Sequence, residues 1–319
     1  MTSLTAPDLL LLALAAAWGA ATGTLLPRAA YRFSVPLDDP QDPPTEVPAT
    51  EDPATGDPAT EDTPSEAPAP AHRTTDEAPA GEAPTDEAPA GEAPTDEPPA
   101  PLPPWRHTCP SGHPFPTPTG PRSWTGPARC PSCPATEPPY GPRAWPLATV
   151  TALLCGLAAS ATGVRPELAV WLLLTPVGVL LAAVDLRVKR LPDPLTLPLA
   201  ATALALLGVA ALLPEHAGHW TTALLGTLAL GTGYLVLHLI SPGGMGFGDV
   251  KLALGAGAVL GWYGWPTLML GTLAGFVLGA LYGVALLATG RADRRTAIPY
   301  GPFLIAGAYL GVLVGAYTA

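Results

Sequence analysis

The sequence predicts an all-α polytopic membrane protein of about eight transmembrane helices, with a long disordered acidic, Pro-rich loop between the first and second. Three observations lead there. The 319 residues are 48% hydrophobic and only 13% charged, against about 25% charged in an ordinary soluble domain. Thirty-one of the 43 prolines fall between residues 34 and 146. Residues 33–108 hold 18 Asp and Glu but only Arg73 and Arg106 as basic residues, so the net charge of −11 belongs to one segment. Nucleic acid is not an expected partner, because that role needs a basic surface patch. Four Cys in so long a chain do not make a disulfide scaffold.

The first element, residues 9–26, runs 18 positions without a charge, about the length that spans a hydrocarbon core. A signal peptide carries positive charge ahead of its apolar run. Here Asp8 precedes it, and Arg28 and Arg32 follow. That order predicts a retained helix, within residues 1–33, whose N-terminus lies outside. Residues 34–104 are low complexity, and TDEAPAGEAP recurs with a period of ten. Such Pro, Ala and acidic sequence buries too little apolar surface to offset ordering entropy, which predicts a disordered loop. Residues 105–143 form a short Cys-containing loop.

The block 144–319 is nearly all membrane. Helices are expected near 144–163, 167–186, 194–213, 219–240, 249–262, 265–289 and 301–317, and long apolar runs of this kind fit helices rather than barrel strands. With the N-terminus outside, 14 of the 15 Lys and Arg fall on inside segments, leaving only Arg165 outside. That includes Arg187, Lys189 and Arg190 in one short loop and Lys251, Arg291, Arg294 and Arg295 elsewhere, as the positive-inside rule requires. Trp220, Trp262, Tyr263 and Trp265, near helix ends, read as interfacial anchors. Gly271, Gly275, Gly279 and Gly283 recur every four positions, as suits tight helix contact. His238 is a lone polar side chain in an apolar helix and reads as a packing hydrogen-bonder.

Few acids remain in this block. Asp185 stands in LLAAVDLRVKRLPDPLTLP and Asp249 in SPGGMGFGDVKLALGAGAVLG. Acids at a membrane edge are costly and usually functional. Asp249 follows Gly246 and Gly248, and glycines there allow close backbone approach. Capping of a helix start by Asp249, and a simple helix end at Asp185, are the plain alternatives.

Three separated stretches, GFGDVKLALGAGAVLG, DLRVKRLPDPLTLP and IPYGPFLIAGAYLG, resemble motifs of the prepilin peptidase (type IV leader peptidase) family of Gly-x-Gly-Asp membrane aspartic proteases. GAATGTLLPRAAYRFSVP weakly resembles the family's first helix. The resemblance covers residues 9–33 and about 144–319 and implies a seven-helix membrane peptidase domain in the latter block. It implies that Asp185 and Asp249 are the catalytic pair, with motif support from Gly246, Gly248, Lys251, Asp193, Pro299, Gly301 and Pro302. Asp193 is expected to cap the fourth long helix, with Pro194 at its first position. Two carboxylates in one site do not both ionise easily, so one serves as base toward water and the other as acid.

The resemblance further implies prepilin-like precursor proteins as partners, each a short basic leader before an apolar helix, cut at the cytoplasmic face of the cytoplasmic (inner) membrane. The acidic loop is solvated chain or an electrostatic attractor for such leaders. The peptidase reaction needs no cofactor. Many family members also methylate with S-adenosylmethionine and carry two paired-cysteine motifs resembling a zinc site. Here Cys130 and Cys133 form one pair, but Gly112 stands where Cys109 would find its partner, with His113 one place further. Cys109, His113, Cys130 and Cys133 make a candidate structural zinc set, with His107 competing. The low-complexity filling of the loop argues against methylation. An ion-coupled transporter using the same aspartates is the alternative reading, although no internal helix repeat supports it.

Overall fold

The structure is a computed structural model that describes residues 5–35, 105–115, 121–241, 245–290 and 298–319. The expected disordered loop at 34–104 lies almost wholly outside the described residues, as do Arg291, Arg294 and Arg295. The elements are α1 (Ala6–Phe33), a single turn α2 (Pro121–Trp124), α3 (Ala144–Thr162), α4 (Glu167–Val188), α5 (Asp193–Ala210), α6 (Trp220–Ile240), α7 (Phe247–Trp262), α8 (Trp265–Ala288) and α9 (Gly301–Thr318). Among the described residues there is no strand beyond one isolated bridge, Thr108 with Pro114. The all-helical expectation holds.

Seven of the eight long helices among the described residues are long and apolar enough to cross a membrane. The eighth, α7, has 16 residues, about 24 Å at 1.5 Å per residue. It is also the most enclosed: eleven of its residues, Asp249 and Trp262 included, are buried. Surrounded by other helices rather than lipid, α7 has no need of a full bilayer length.

Small residues let the helices approach. A Cβ at Gly19 of α1 would lie 2.5 Å from the Thr151 carbonyl oxygen of α3, and one at Gly226 of α6 would lie 2.6 Å from the Gly257 oxygen of α7. The glycine stripe of α8 works the same way against α9, where a Cβ at Gly271 would come within 3.0 Å of the Gly307 oxygen. With no hydrophobic drive between helices in lipid, backbone proximity of this kind supplies the packing attraction.

Two local expectations are corrected. Trp262 is fully buried, 0% exposed, and is not an interfacial anchor. The loop between α5 and α6 folds over it: His219 N–H donates to the Trp262 carbonyl at 2.9 Å, and Gly218 packs against the ring. Trp220 and Trp265 remain partly exposed. Asp193 does not cap α5. Pro192 is the residue before the helix and Asp193 is its first residue, with no side-chain cap bond. The Asp193 carboxylate instead pairs with Lys251 Nζ at 2.7 Å. This ties the start of α5 to α7.

Candidate active site and metal centre

Asp185 lies three residues before the end of α4. The helix stops because Lys189 adopts a left-handed conformation, φ 52°, while its N–H still donates to the Asp185 carbonyl. The side chain points inward and is 4% exposed. Its Oδ2 accepts the backbone N–H of Gly301, the first residue of α9, at 3.0 Å. The first N–H groups of a helix lack intrahelical partners and carry partial positive charge. A carboxylate is therefore well placed there. Only glycine allows the approach: a Cβ at residue 301 would sit 2.7 Å from Oδ2. Pro302 follows within the first two helical positions, where its missing N–H costs nothing.

Asp249 is the third residue of α7, and Gly246 is the N-cap. Its N–H donates to the Gly246 carbonyl at 3.0 Å, which closes the first turn. The residue is 8% exposed. Leu191 lies against both Gly301, which binds Asp185, and Gly248, which precedes Asp249. A Cβ at Gly301 would lie 3.4 Å from Leu191 Cδ1 and one at Gly248 would lie 3.0 Å from Leu191 Cβ. The Asp249 carboxylate lies within the electrostatic reach of Asp185. Two acids 64 positions apart thus share one buried space, Asp185 reaching it from the last turn of α4 to meet the N-terminus of α9, Asp249 from the first turn of α7. Burying carboxylates this way is expensive, which marks the place as built for something other than stability.

Of the motif residues, Gly248 and Gly301 are sterically constrained, Lys251 braces α7 through Asp193, and Pro299 and Pro302 flank the turn into α9. Gly246 is not crowded: a Cβ there would lie 3.6 Å from Asp249 Oδ2, an ordinary contact, with φ at −68°. Sequence reasoning missed three neighbours. The Tyr234 hydroxyl of α6 bonds the Tyr300 hydroxyl at 2.9 Å, and Leu191 packs beside Gly301 and Gly248. The signal for the first was present, since Tyr234 and His238 stand four apart in an otherwise apolar helix. His238 is indeed a packing hydrogen-bonder, its Nδ1 2.9 Å from the Met245 carbonyl oxygen.

The second cluster lies in the 105–143 loop. One donor atom from each of Cys109, His113, Cys130 and Cys133 falls within 4.8 Å of the others, and the thiols are free. Cys109 Sγ is 3.7 Å from Cys133 Sγ and 3.5 Å from His113 Nδ1, and Cys133 Sγ is 3.3 Å from that nitrogen. Tetrahedral zinc with ordinary bond lengths needs edges of about 3.8 Å between sulfurs and about 3.6 Å between sulfur and nitrogen. The residues fit the ion. Gly112 explains how the missing cysteine is replaced. Its φ of +82° turns the chain so that Cys109 N–H reaches the His113 carbonyl at 3.0 Å, delivering the imidazole. His107 is outside the group. The Ser111 hydroxyl acts downward on the Cys133 thiol, but burial, Glu137 and the other thiols push it up to about 12. Burial acts upward on Cys130, yet the Ser132 backbone N–H and the neighbouring thiols hold it below its usual range.

This loop is fastened to the end of α1. Around Pro27, Gly126 inserts between two helical residues: its N–H donates to the Leu25 carbonyl at 2.9 Å and its carbonyl accepts Arg28 N–H at 3.2 Å. Arg32, 1% exposed, donates to the Ser123 carbonyl at 2.9 Å and lies 4.3 Å over the Trp124 ring.

Residues 172–284 match the family model described as the Type IV leader peptidase family, which bears out the family resemblance over the stretches holding Asp185 and Asp249. The chain is 34% identical over 164 residues to a prepilin leader peptidase/N-methyltransferase of Stutzerimonas stutzeri, covering 51% of this chain and 55% of that protein. It is 37% identical over 173 residues to the protein so named in Pseudomonas putida, covering 51% and 56%. With that of Bacillus subtilis it is 32% identical over 171 residues, covering 52% and 64%. The chain spans about half the length of most of the curated relatives it matches. No solved structure matches it.

Proposed function

We propose, from the match of residues 172–284 to the type IV leader peptidase family model, that the chain is a membrane-embedded aspartic endopeptidase that removes the leader from prepilin-like precursors. The observation that carries this reading is the burial of Asp185 and Asp249 in one space, the former bonded by the N-terminal turn of α9 and the latter borne on the N-terminal turn of α7.

The chemistry needs only these side chains and water. The pair holds one proton between them, because two adjacent carboxylates do not both ionise easily in a buried site. The ionised carboxylate takes a proton from water, and the hydroxide oxygen bonds the scissile carbonyl carbon. The other acid passes its proton to the carbonyl oxygen, leaving a neutral tetrahedral diol. In the second step the proton acquired from water goes to the amide nitrogen, the C–N bond breaks, and a diol proton returns to the pair. The Gly301 N–H keeps Asp185 oriented throughout. Arg187, Lys189 and Arg190 beside Asp185 support a cytoplasmic location for the site, since basic short loops stay inside.

The four-ligand set Cys109, His113, Cys130 and Cys133 would hold zinc as a structural ion with no open position, stabilising the loop clasped to α1. Methylation is not part of this reading. The test is cleavage of a precursor with a basic leader and apolar helix by the full chain in proteoliposomes. Asp185→Asn and Asp249→Asn are expected to abolish cleavage with unchanged protein level. Normal processing by either variant would overturn the assignment.

A further inference from the structure

We propose that α6 is the alignment element of the site, and that Tyr234 and His238 are positioning residues, one for each carboxylate. The inference rests on the peptidase reading above. Tyr234 and His238 are four residues apart, so they lie one above the other on the same face of α6. Each begins a short chain of contacts that ends on a different acid.

The first chain runs from Tyr234, 1% exposed. Its hydroxyl shares a hydrogen bond of 2.9 Å with the Tyr300 hydroxyl. Both rings pack on Phe276 of α8, with centroids 5.8 and 5.5 Å away. Tyr300 is the N-cap of α9, and its carbonyl accepts the N–H groups of Phe303 and Leu304 at 3.0 and 3.1 Å. The residue after it is Gly301, whose N–H holds Asp185 Oδ2. Fixing the Tyr300 side chain from α6 therefore fixes the start of α9, and with it the direction of the bond to Asp185.

The second chain runs from His238. A carbonyl only accepts, so the His238 Nδ1 beside the Met245 oxygen at 2.9 Å must carry the proton. The ring also packs on Phe247, 5.6 Å between centroids. Met245 and Phe247 bracket Gly246, whose carbonyl takes the Asp249 N–H. This bond gives the turn into α7 a polar tie to α6 besides the ring packing. Since α4 and α7 each bring one acid, a third helix that grips both approaches sets the spacing between them. Neither Tyr234 nor His238 needs to touch substrate, and displacement of the pair by about 1 Å is enough to cost about a hundredfold in rate.

The experiment uses the full chain in proteoliposomes, with turnover and KM measured on a precursor bearing a basic leader and an apolar helix. Tyr234→Phe and Tyr300→Phe keep the rings and delete one bond. Each is expected to lower kcat by about tenfold or more with KM unchanged and an unchanged thermal midpoint. The double variant should be no worse than either single one, because both remove the same bond. His238→Leu should lower kcat alone, and His238→Asn, which restores a donor, should recover most of it. Full kcat in both Tyr variants, an effect carried by KM, or no recovery in His238→Asn over His238→Leu would overturn the proposal. If His238→Leu does not fold, the Tyr pair decides. Absence of cleavage by the unaltered protein removes the peptidase reading itself and this inference with it. Cleavage with indifferent variants removes only the inference.

Discussion

Adding one methyl group at Gly301 is the most discriminating perturbation of the site. The new Cβ would lie 2.7 Å from Asp185 Oδ2, 3.2 Å from its Cγ and 3.4 Å from Leu191 Cδ1. Relief of the oxygen contact needs a displacement of about 0.7 Å, taking about 3.4 Å as the nearest comfortable approach for packed atoms. The Gly301 N–H bond to the carboxylate, worth about 1.5–3 kcal/mol as a bond to a charged group, is then stretched or lost. A misplacement of that order is worth up to about a hundredfold in rate. Stability moves less, because overpacking costs about 1–3 kcal/mol while Ala is better than Gly in a helix by about 0.5–1 kcal/mol. Gly301→Ala should thus lose roughly ten- to a hundredfold in turnover while the protein stays folded. Kinetics in proteoliposomes, beside a thermal melt of the same preparation, read both quantities. Full turnover, or a loss that follows unfolding, would refute the argument that residue 301 orients Asp185.

Asp185→Asn and Asp249→Asn should each reduce cleavage to background in the same assay. Within the Gly-x-Gly-Asp motif, Gly248→Ala should impair turnover clearly more than Gly246→Ala, since only the former drives a Cβ to 3.0 Å from Leu191; equal effects would contradict the packing. Elemental analysis should find one zinc per chain, with occupancy lost in Cys133→Ser and reduced in Gly112→Ala, which forces a side chain into a φ of +82°. Lys251→Met, which breaks a pair whose Asp193 side is 62% exposed, should cost at most about 1 kcal/mol in a denaturation measurement.

The helices and the two acids are legible in the sequence for one reason: in lipid every departure from apolarity is expensive and therefore conspicuous. Asp185 and Asp249 stand out against long uncharged runs, and the glycine before Asp249 announces close packing. What lies beyond local sequence is partnership. Tyr300 finds Tyr234, 66 positions away, only through the fold, and an aromatic hydroxyl near a helix end reads equally well as an interfacial group. Trp262 misleads in the same way, because nothing local reveals that the loop between α5 and α6 closes over it. Asp193 reads as a cap from its place before Pro194, yet Lys251, which arrives from α7, competes for its carboxylate and wins. The zinc set is half legible: the Cys130 and Cys133 pair is plain, whereas His113 becomes credible only once Gly112 is seen to reverse the chain.

Arg106 joins two points far apart in the chain. Its N–H donates to the Arg32 carbonyl and its Nε to the Ser34 carbonyl, both at 2.7 Å. The end of α1 and the start of the Cys-containing loop are thereby tied together. For unstructured chain, as this composition predicts, each doubling of the intervening length costs only about 0.6 kcal/mol in closure entropy. The tie is made by residues on either side of the repeats, so a whole reporter domain spliced into them should leave the helices undisturbed.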